Sequence, residues 1–407
     1  MSQLGKKPIE VNGERLWDHL RVLCEELGPR LSGTPSDERT VEYVSEHFRR
    51  CGARVEVQNY PCPAWEHEAT ELSLLAGGVA EPLPAFAQTF TQACDVEARI
   101  IGVDTRDELE FAPDLEGKVL VLHGKMASGL TADRNPLLLT VEERRAAAVV
   151  VVSPDETVST KLVRDPFLRV PAAAVAQSVG QKILESQGER LRLRIRARRY
   201  DSTGHNVIGR FPGKQEGHVV VAAHYDTAAD SPGASDNASG TAVVLELCEL
   251  FGTGDGQGLG VDFIAYGAEE YGRNGYNLGA VEYVRRHPAE TSQARAVIEV
   301  DCVGTAALPP RVRVMGLSPL QREGILDVLR QFPRYNVDLR PETEAPHTSL
   351  NLRGVPALWF VNDYWKLPIH TAQDTIDLLS PDELAFCAEV TAATVQYLAA
   401  ATSAPRP

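Results

Sequence analysis

The feature that most constrains the fold is a pairing that recurs through the second half of the chain: a short apolar run, then a helical segment, then another apolar run. After Thr203 the runs are "HVVVAA", "GVDFIAYG", "ARAVIEV" and "VPALWFV", and between them lie "GTAVVLELCELFG", "LGAVEYVRRH" and "LQREGILDVLRQF". A strand that is apolar at nearly every position has no face to give to water, so both of its sides must be covered, and the intervening helices are the cover. This predicts an α/β fold with a mainly parallel central sheet sandwiched by helices. A last helix is expected from "SPDEL", where Ser380 caps, Pro381 takes the first helical position and Glu383 closes the start signal.

The first half has two textures. Helical patterns run from Glu14 to Gly28 and from Ser36 to Gly52, the second opening with Ser-Asp capping chemistry, lining Val41, Val44 and Phe48 along one face and stopping at glycine. A strand, "ARVEVQ", follows. From about Pro63 to Arg198 the chain turns to short strands and proline-rich turns, among them "GKVLVLHG", "AAAVVVVS", "RVPAAAV" and the strictly alternating "RLRLRIRAR". The expected organisation is a catalytic domain of residues 1–62 and 200–407, interrupted by a smaller β-rich inserted domain of residues 63–199.

Several function classes are excluded at this stage. The longest purely apolar stretch, Ala146 to Val152, is far short of the ~20 residues that cross a bilayer, so no membrane partner is expected. A net charge of −15 lacks the basic footprint that nucleic acid requires. The seven cysteines contain no C-x-x-C pair and read as small core residues. The glycine-rich "FGTGDGQGLG" follows a helix rather than a strand and fits no phosphate-loop register, which leaves it as a mobile connector. The first residues show neither an apolar core nor a cleavage site, so a cytoplasmic location is expected.

The chemistry emerges when histidines and acids are placed on the strand map. His224 and Asp226 leave the end of one apolar run, Glu269 and Glu270 the end of the next, Asp301 the end of the third, and His370 follows the fourth after a short aromatic loop. Carboxyl ends of strands in an open α/β sheet are where ligands bind. Asp236, in "GASDNASG", precedes a helix and is flanked by glycines. Taken singly, each residue fits an ordinary structural role: His224 a hydrogen-bonded strand end, Asp236 a helix cap, the Glu269–Glu270 pair a solvated run, His370 a turn in which Thr371 or Asp374 bonds the local backbone. Together those roles would require independent coincidences at one sheet edge. Two imidazoles with several carboxylates and no cysteine suit two divalent cations, zinc first, with cobalt or manganese as alternatives. Such paired ions lie ~3.5–4 Å apart and share a water whose pKa they lower.

The ordered set "HYDT", "GASDNASG", "AYGAEEYGRNG", "VIEVDCVG" and "IHTAQDTIDLLSPDEL" resembles the co-catalytic di-zinc aminopeptidases, metallopeptidase family 28 of clan MH. The likeness spans about Glu14 to Pro61 and Thr203 to the carboxyl terminus, and the inserted segment resembles a protease-associated domain more loosely. The resemblance implies that His224 and Asp301 bind one zinc, Glu270 and His370 the other, and Asp236 bridges them. It implies Glu269 as general base to a zinc-bound hydroxide and Asp226 as the carboxylate that orients His224. His347, in "EAPHTSLNLRGVPAL", is a candidate oxyanion donor, although proline stands where the family often has an acid. Tyr276 replaces a small residue common in the family, Cys302 reads as packing, and Tyr364 and Trp365 are candidates to line a side-chain pocket. The expected substrates are peptides with a free amino terminus, the reaction hydrolysis of the first peptide bond. A carboxypeptidase or dipeptidase of the same family, a glutaminyl-cyclase-like transferase using one zinc, and a catalytically silent binding protein stay open as alternatives, as does assembly into a homo-oligomer.

Overall fold

A computed structural model of the protein describes residues 10–127, 135–252, 258–271, 277–340 and 345–400. The chain divides into two compact units: Met1–Pro61, Thr203–Thr227 and Ser231–Pro407 in one, and Cys62–Ser202 with Ala228–Asp230 in the other. Among the described residues no helix is long and apolar enough to cross a membrane.

In the first unit, the four apolar runs are strands at His218–His224, Gly260–Tyr266, Ala294–Val300 and Ala357–Asn362. They lie side by side in the order Ala357–Asn362, Ala294–Val300, His218–His224, Gly260–Tyr266, and every neighbouring pair is parallel. Antiparallel strands flank them: Pro310–Met315 beyond Ala357–Asn362, and residues 207–211 beyond Gly260–Tyr266. The sheet is therefore parallel where it is deepest and mixed toward its margins, as the continuous apolar runs predict.

Alternation along a strand divides the core in two. Val219, Val221 and Ala223 join Phe263, Ile298 and Phe360 on one face, under the helices Gly13–Arg21, Pro35–Arg50, Ser239–Gly252 and Pro381–Ala400. Val220 and Ala222 join Ile264, Val297 and Trp359 on the other, with Tyr283 and Val284 of the Leu278–Arg286 helix. Val41, Val44 and Phe48 all enter the first core. The chain leaves His218–His224 through a helix on one face and returns to its other flank through helices on the opposite face, so a crevice opens at the carboxyl end of this central strand.

Two helices differ in detail from the expectation. The Pro35–Arg50 helix is capped by Thr34, whose hydroxyl receives the Asp37 N–H, and Ser36 instead donates to Leu27 O at 2.8 Å. The preceding helix is regular only over Gly13–Arg21 and then widens over Val22–Leu27, closing with the Gly28 N–H on Leu23 O at 3.2 Å.

The second unit holds parallel pairs linking Cys94–Val103, Val119–Leu122, Ala148–Val152 and Ala172–Val175, with helices at Arg106–Phe111, Pro136–Glu143 and Gln177–Glu185. It carries more helix than its turn-rich sequence suggests. Its own core is built from Leu120, Leu122, Val149, Val151 and Leu138. All seven cysteines are free.

Candidate metal centre

Because the four central strands are parallel, their carboxyl ends share one edge, and the residues that follow them are delivered to the same crevice. His224 is the last residue of its strand and is buried. Its Nε2 lies 3.1 Å from Asp236 Oδ1 and 3.4 Å from Asp301 Oδ1. Across the carboxylate of Asp236, His370 Nε2 lies 2.9 Å from Oδ2 and 3.5 Å from Glu270 Oε2. Asp236 thus offers one oxygen to each of two donor groups, His224–Asp236–Asp301 and Asp236–Glu270–His370, whose ligand atoms lie within 4.8 Å of one another in each group.

These separations can be compared with what a cation requires. Two ligand atoms on tetrahedral bonds of about 2.0–2.2 Å stand roughly 3.4 Å apart. The four N···O distances above scatter around that value. The donor set of two imidazoles and three carboxylates, one of them shared, fits two zinc-class cations.

The electrostatics are those of a gathered acidic cluster. Burial works to lower the His224 imidazole, but Glu269 and then the bonded Asp226, Asp236 and Asp301 hold it well above its ordinary value. Burial likewise opposes ionisation of Asp236, yet bonds from His224 and His370 keep it well below the usual carboxylate range.

Residues that offer no ligand atom hold this geometry. The Asp226 carboxylate accepts the backbone N–H of Glu269 at 3.0 Å and of Glu270 at 3.1 Å, which locks the loop after the second strand to the end of the first. Its Oδ1 is 3.5 Å from His224 Nδ1, while its backbone carbonyl takes the imidazole hydrogen bond at 3.2 Å. The Asp374 carboxylate does for the bridging residue what Asp226 does for the glutamates: Oδ1 accepts Ser235 N–H at 2.8 Å and Oδ2 accepts Asp236 N–H at 3.1 Å. Burial pushes the Asp374 carboxyl up to about 7 while those amides pull it down. Asn237 caps the following helix by accepting Gly240 N–H at 2.8 Å, which leaves the Asp236 side chain free of capping duty. The same Asn237 reaches Val300 O through Nδ2 at 3.0 Å and Cys302 N–H through Oδ1 at 3.3 Å. A Cβ at Gly240 would stand 2.1 Å from Val300 O, so only glycine lets the helix start meet the Asp301 strand.

Beneath the crevice Arg30 is completely buried. Its guanidinium donates to the carbonyls of Tyr225, Leu23, Gly28, Pro232 and Gly233 at 2.7–3.2 Å, fastening the loop between His224 and Asp236. Left-handed backbone at Ala268, Cys302 and His370, with φ of 53°, 50° and 59°, places strain beside Glu269, beside Asp301 and at a candidate ligand itself. Such conformations cost about 1–3 kcal/mol each and persist only where surrounding bonds over-determine them. Ser32 Oγ on Ala268 N–H at 2.7 Å and Asn237 on Cys302 N–H are two of those bonds.

The adjacent glutamates divide by exposure: Glu270 is buried and Glu269 only partly so. Asn277, at the head of the Leu278–Arg286 helix, makes no capping bond and instead donates Nδ2 to Glu269 Oε1 at 3.0 Å. Tyr364 lies close enough for Asp301, Asp236 and Glu269 to add to the upward push that burial gives its hydroxyl. Trp365 is largely exposed, its ring 4.0 Å from that of Tyr364. Cys302 is buried. His347 is fully buried at the start of a short helix, its ring 5.6 Å from that of Trp359, and neither donor group includes it. Tyr276 and much of the glycine-rich connector lie outside the described residues.

Residues 206–395 match the family model described as Peptidase family M28. Aminopeptidase YwaD of Bacillus subtilis is 23% identical over 96% of this chain and 86% of its own length. Carboxypeptidase Q of Bos taurus is 24% identical over 95% of this chain and 85% of its own. Among solved structures, BSAP, a zinc aminopeptidase from Bacillus subtilis, superposes with a TM-score of 0.79 at 22% identity, covering 97% of each chain. That likeness shows the fold: a large, mostly parallel central sheet flanked by helices.

Proposed function

Since residues 206–395 make this chain a member of peptidase family M28, we propose that it is a two-metal exopeptidase that hydrolyses the amino-terminal bond of peptides. The observation that carries the proposal is the shared carboxylate of Asp236, one oxygen turned to each three-donor group. His224 and Asp301 hold one cation, Glu270 and His370 the other, and Asp236 serves both. When bound, the pair supplies an acidified water and the positive charge that polarises a peptide carbonyl.

The remaining chemistry belongs to the chain. Glu269 is partly exposed and its carboxylate is oriented by Asn277, so Glu269 is the group that takes a proton from water and returns it to the departing amine. Asp226 fixes the backbone from which Glu269 and Glu270 project, and with it the separation between proton carrier and ligand. Glu269, partly exposed and in neither donor group, is the carboxylate that can meet a substrate ammonium. Arg30, the buried cation beneath, spends its donors on backbone carbonyls and has none for a substrate carboxylate. Tyr364 and Trp365 are assigned to the approach of the first side chain, and His347 to indirect support of the Trp359 layer or to the oxyanion. The inserted unit is assigned to substrate restriction or to assembly.

The likeness to carboxypeptidase Q gives the second proposal, a carboxypeptidase or dipeptidase built on the same donors. A panel of free, amino-blocked and carboxyl-blocked dipeptides with zinc present separates the two. Aminopeptidase action requires cleavage of free and carboxyl-blocked substrates and none of amino-blocked ones, and the opposite pattern overturns it. Activity indifferent to strong chelators would remove the metal from the mechanism altogether.

A further inference from the structure

On the helical side of the catalytic unit a second group of ligand-type side chains meets. We propose that His47, Cys51 and Glu249 form a binding site for a thiophilic divalent cation of the zinc class, additional to the pair held at the sheet edge. His47 lies in the last turn of the Pro35–Arg50 helix and Cys51 is the residue that ends it, four positions on and on the same face. Glu249 comes from the last turn of Ser239–Gly252, so a cation here would clip two helices together.

The geometry is that of a coordination shell. The three ligand atoms lie within 4.8 Å of one another. Cys51 Sγ is 3.4 Å from His47 Nε2 and 3.2 Å from Glu249 Oε2. With bonds of about 2.3 Å to sulfur and 2.0–2.2 Å to nitrogen or oxygen, the edges of a zinc tetrahedron from sulfur come to roughly 3.5–3.6 Å. Both separations are within a few tenths of an ångström of that, without movement of either helix.

Donor chemistry around the group agrees. The Cys248 thiol bonds to Cys51, and that contact is the leading reason, ahead of His47, why the Cys51 thiol is lowered to about 6 despite burial. His19 packs edge-on against His47 with ring centroids 4.5 Å apart. Its Nδ1 meets the Tyr43 hydroxyl at 2.5 Å, while its Nε2 is buried with no hydrogen-bond partner among the described residues. An ordinary packed thiol accounts for Cys51 but not for an imidazole, a carboxylate and a second thiol gathered about it. Water or Cys248 completes the fourth position.

Ligation rearranges little. His47 Nε2 now bonds Leu245 O at 2.9 Å, a carbonyl inside a helix whose own ladder also serves it. The proton moves to Nδ1, and the Arg50 side chain, 3.2 Å from that nitrogen, turns to water.

The test uses the full chain stripped of metal and titrated with Co2+. A sulfur-to-cobalt charge-transfer band in the near ultraviolet is expected, which nitrogen and oxygen donors alone do not give, together with three bound cations per chain. Cys51→Ser should abolish the band and leave two cations with peptide hydrolysis unchanged. His47→Gln should keep the thiol and weaken occupancy at this site tenfold or more. Should Cys51→Ser fail to fold, wild-type protein decides: saturating Zn2+ must slow alkylation of Cys51 at least tenfold by peptide mass spectrometry. Absence of the band, its survival undiminished in Cys51→Ser, or alkylation indifferent to Zn2+ overturns the proposal. The band reports sulfur alone, so it stands or falls separately from peptide turnover.

Discussion

Replacing Asp226 by asparagine changes one atom and tests how the crevice is held. The carboxylate is wholly buried and acceptor-only, with Oδ1 on Glu269 N–H at 3.0 Å and Oδ2 on Glu270 N–H at 3.1 Å. An amide keeps one acceptor, and in either orientation its NH2 confronts a backbone N–H. One charge-assisted hydrogen bond is lost, worth about 1.5–3 kcal/mol. Loss of an outer partner of a metal ligand typically costs 10–100-fold in affinity, about 1.4–2.7 kcal/mol, so two independent routes give the same size of effect. Without metal the sign softens, because the substitution also removes one negative charge from a crowd of carboxylates. The expected outcome is a 10–100-fold weaker zinc affinity in chelator-buffered titrations, with a much smaller change in the urea midpoint of the metal-free protein. Wild-type zinc affinity in Asp226→Asn would refute the assignment of Asp226 as the lock between the two strand ends.

Other substitutions separate roles. Glu269→Gln should keep both cations by elemental analysis and lose roughly 10²–10⁴-fold in turnover, the range for a general base, and Asn277→Ala should lower turnover less while leaving metal content intact. Arg30→Lys offers at most three donors where five carbonyls are served, and it should destabilise the protein by about 3 kcal/mol or more in denaturant titrations. Burial pushes the Asp262 carboxyl up to about 7 against the opposing pull of Arg210, with Glu290 adding to the rise and His218 3.7 Å away. An unfolded aspartate ionises near ~3.9, so the folded form binds more protons between those values and stability falls as pH rises from about 4 to 7. Asp262→Asn should remove this slope, worth up to about 4 kcal/mol, in melts at pH 4.5 and 8.

The edge that carries the candidate ligands was legible because burial on both faces writes itself as unbroken apolar runs, and whatever polar residue ends such a run is conspicuous. His224, Asp301 and the glutamate pair stand out for that reason. Residues that act on backbone amides and carbonyls leave no such mark. Asp374 reads as a local turn residue, yet it binds the amides of Ser235 and Asp236, more than a hundred positions away in sequence. Arg30, in "GPR" between two helices, carries no periodicity that could announce a buried guanidinium. One missed element did have a signal. The strand beginning at Arg54 runs to Ala76 and pairs with Val79–Leu83 through Gly77 and Gly78, both at positive φ. A glycine pair between two strands is a strong short-range hairpin signature, and it was obscured by Pro61 and Pro63 within the strand.

The locks explain how like charges stay gathered. Asp226 ties the second strand's exit to the first, Asn237 ties the bridging loop to the third, and Asp374 ties the His370 loop back to Asp236. Each bond joins segments that carry different candidate ligands, and all but the Glu269 N–H bond are buried from solvent. A crevice assembled only by its cations would let His224 and His370 drift apart on their loops when metal leaves. Here the backbone at the candidate ligands Asp236 and Glu270 is held by acceptor groups that are not themselves in either donor group, so cation binding has charge to neutralise but little chain to order. That division lets the site combine strained backbone at three positions with donor separations already close to those of a filled centre.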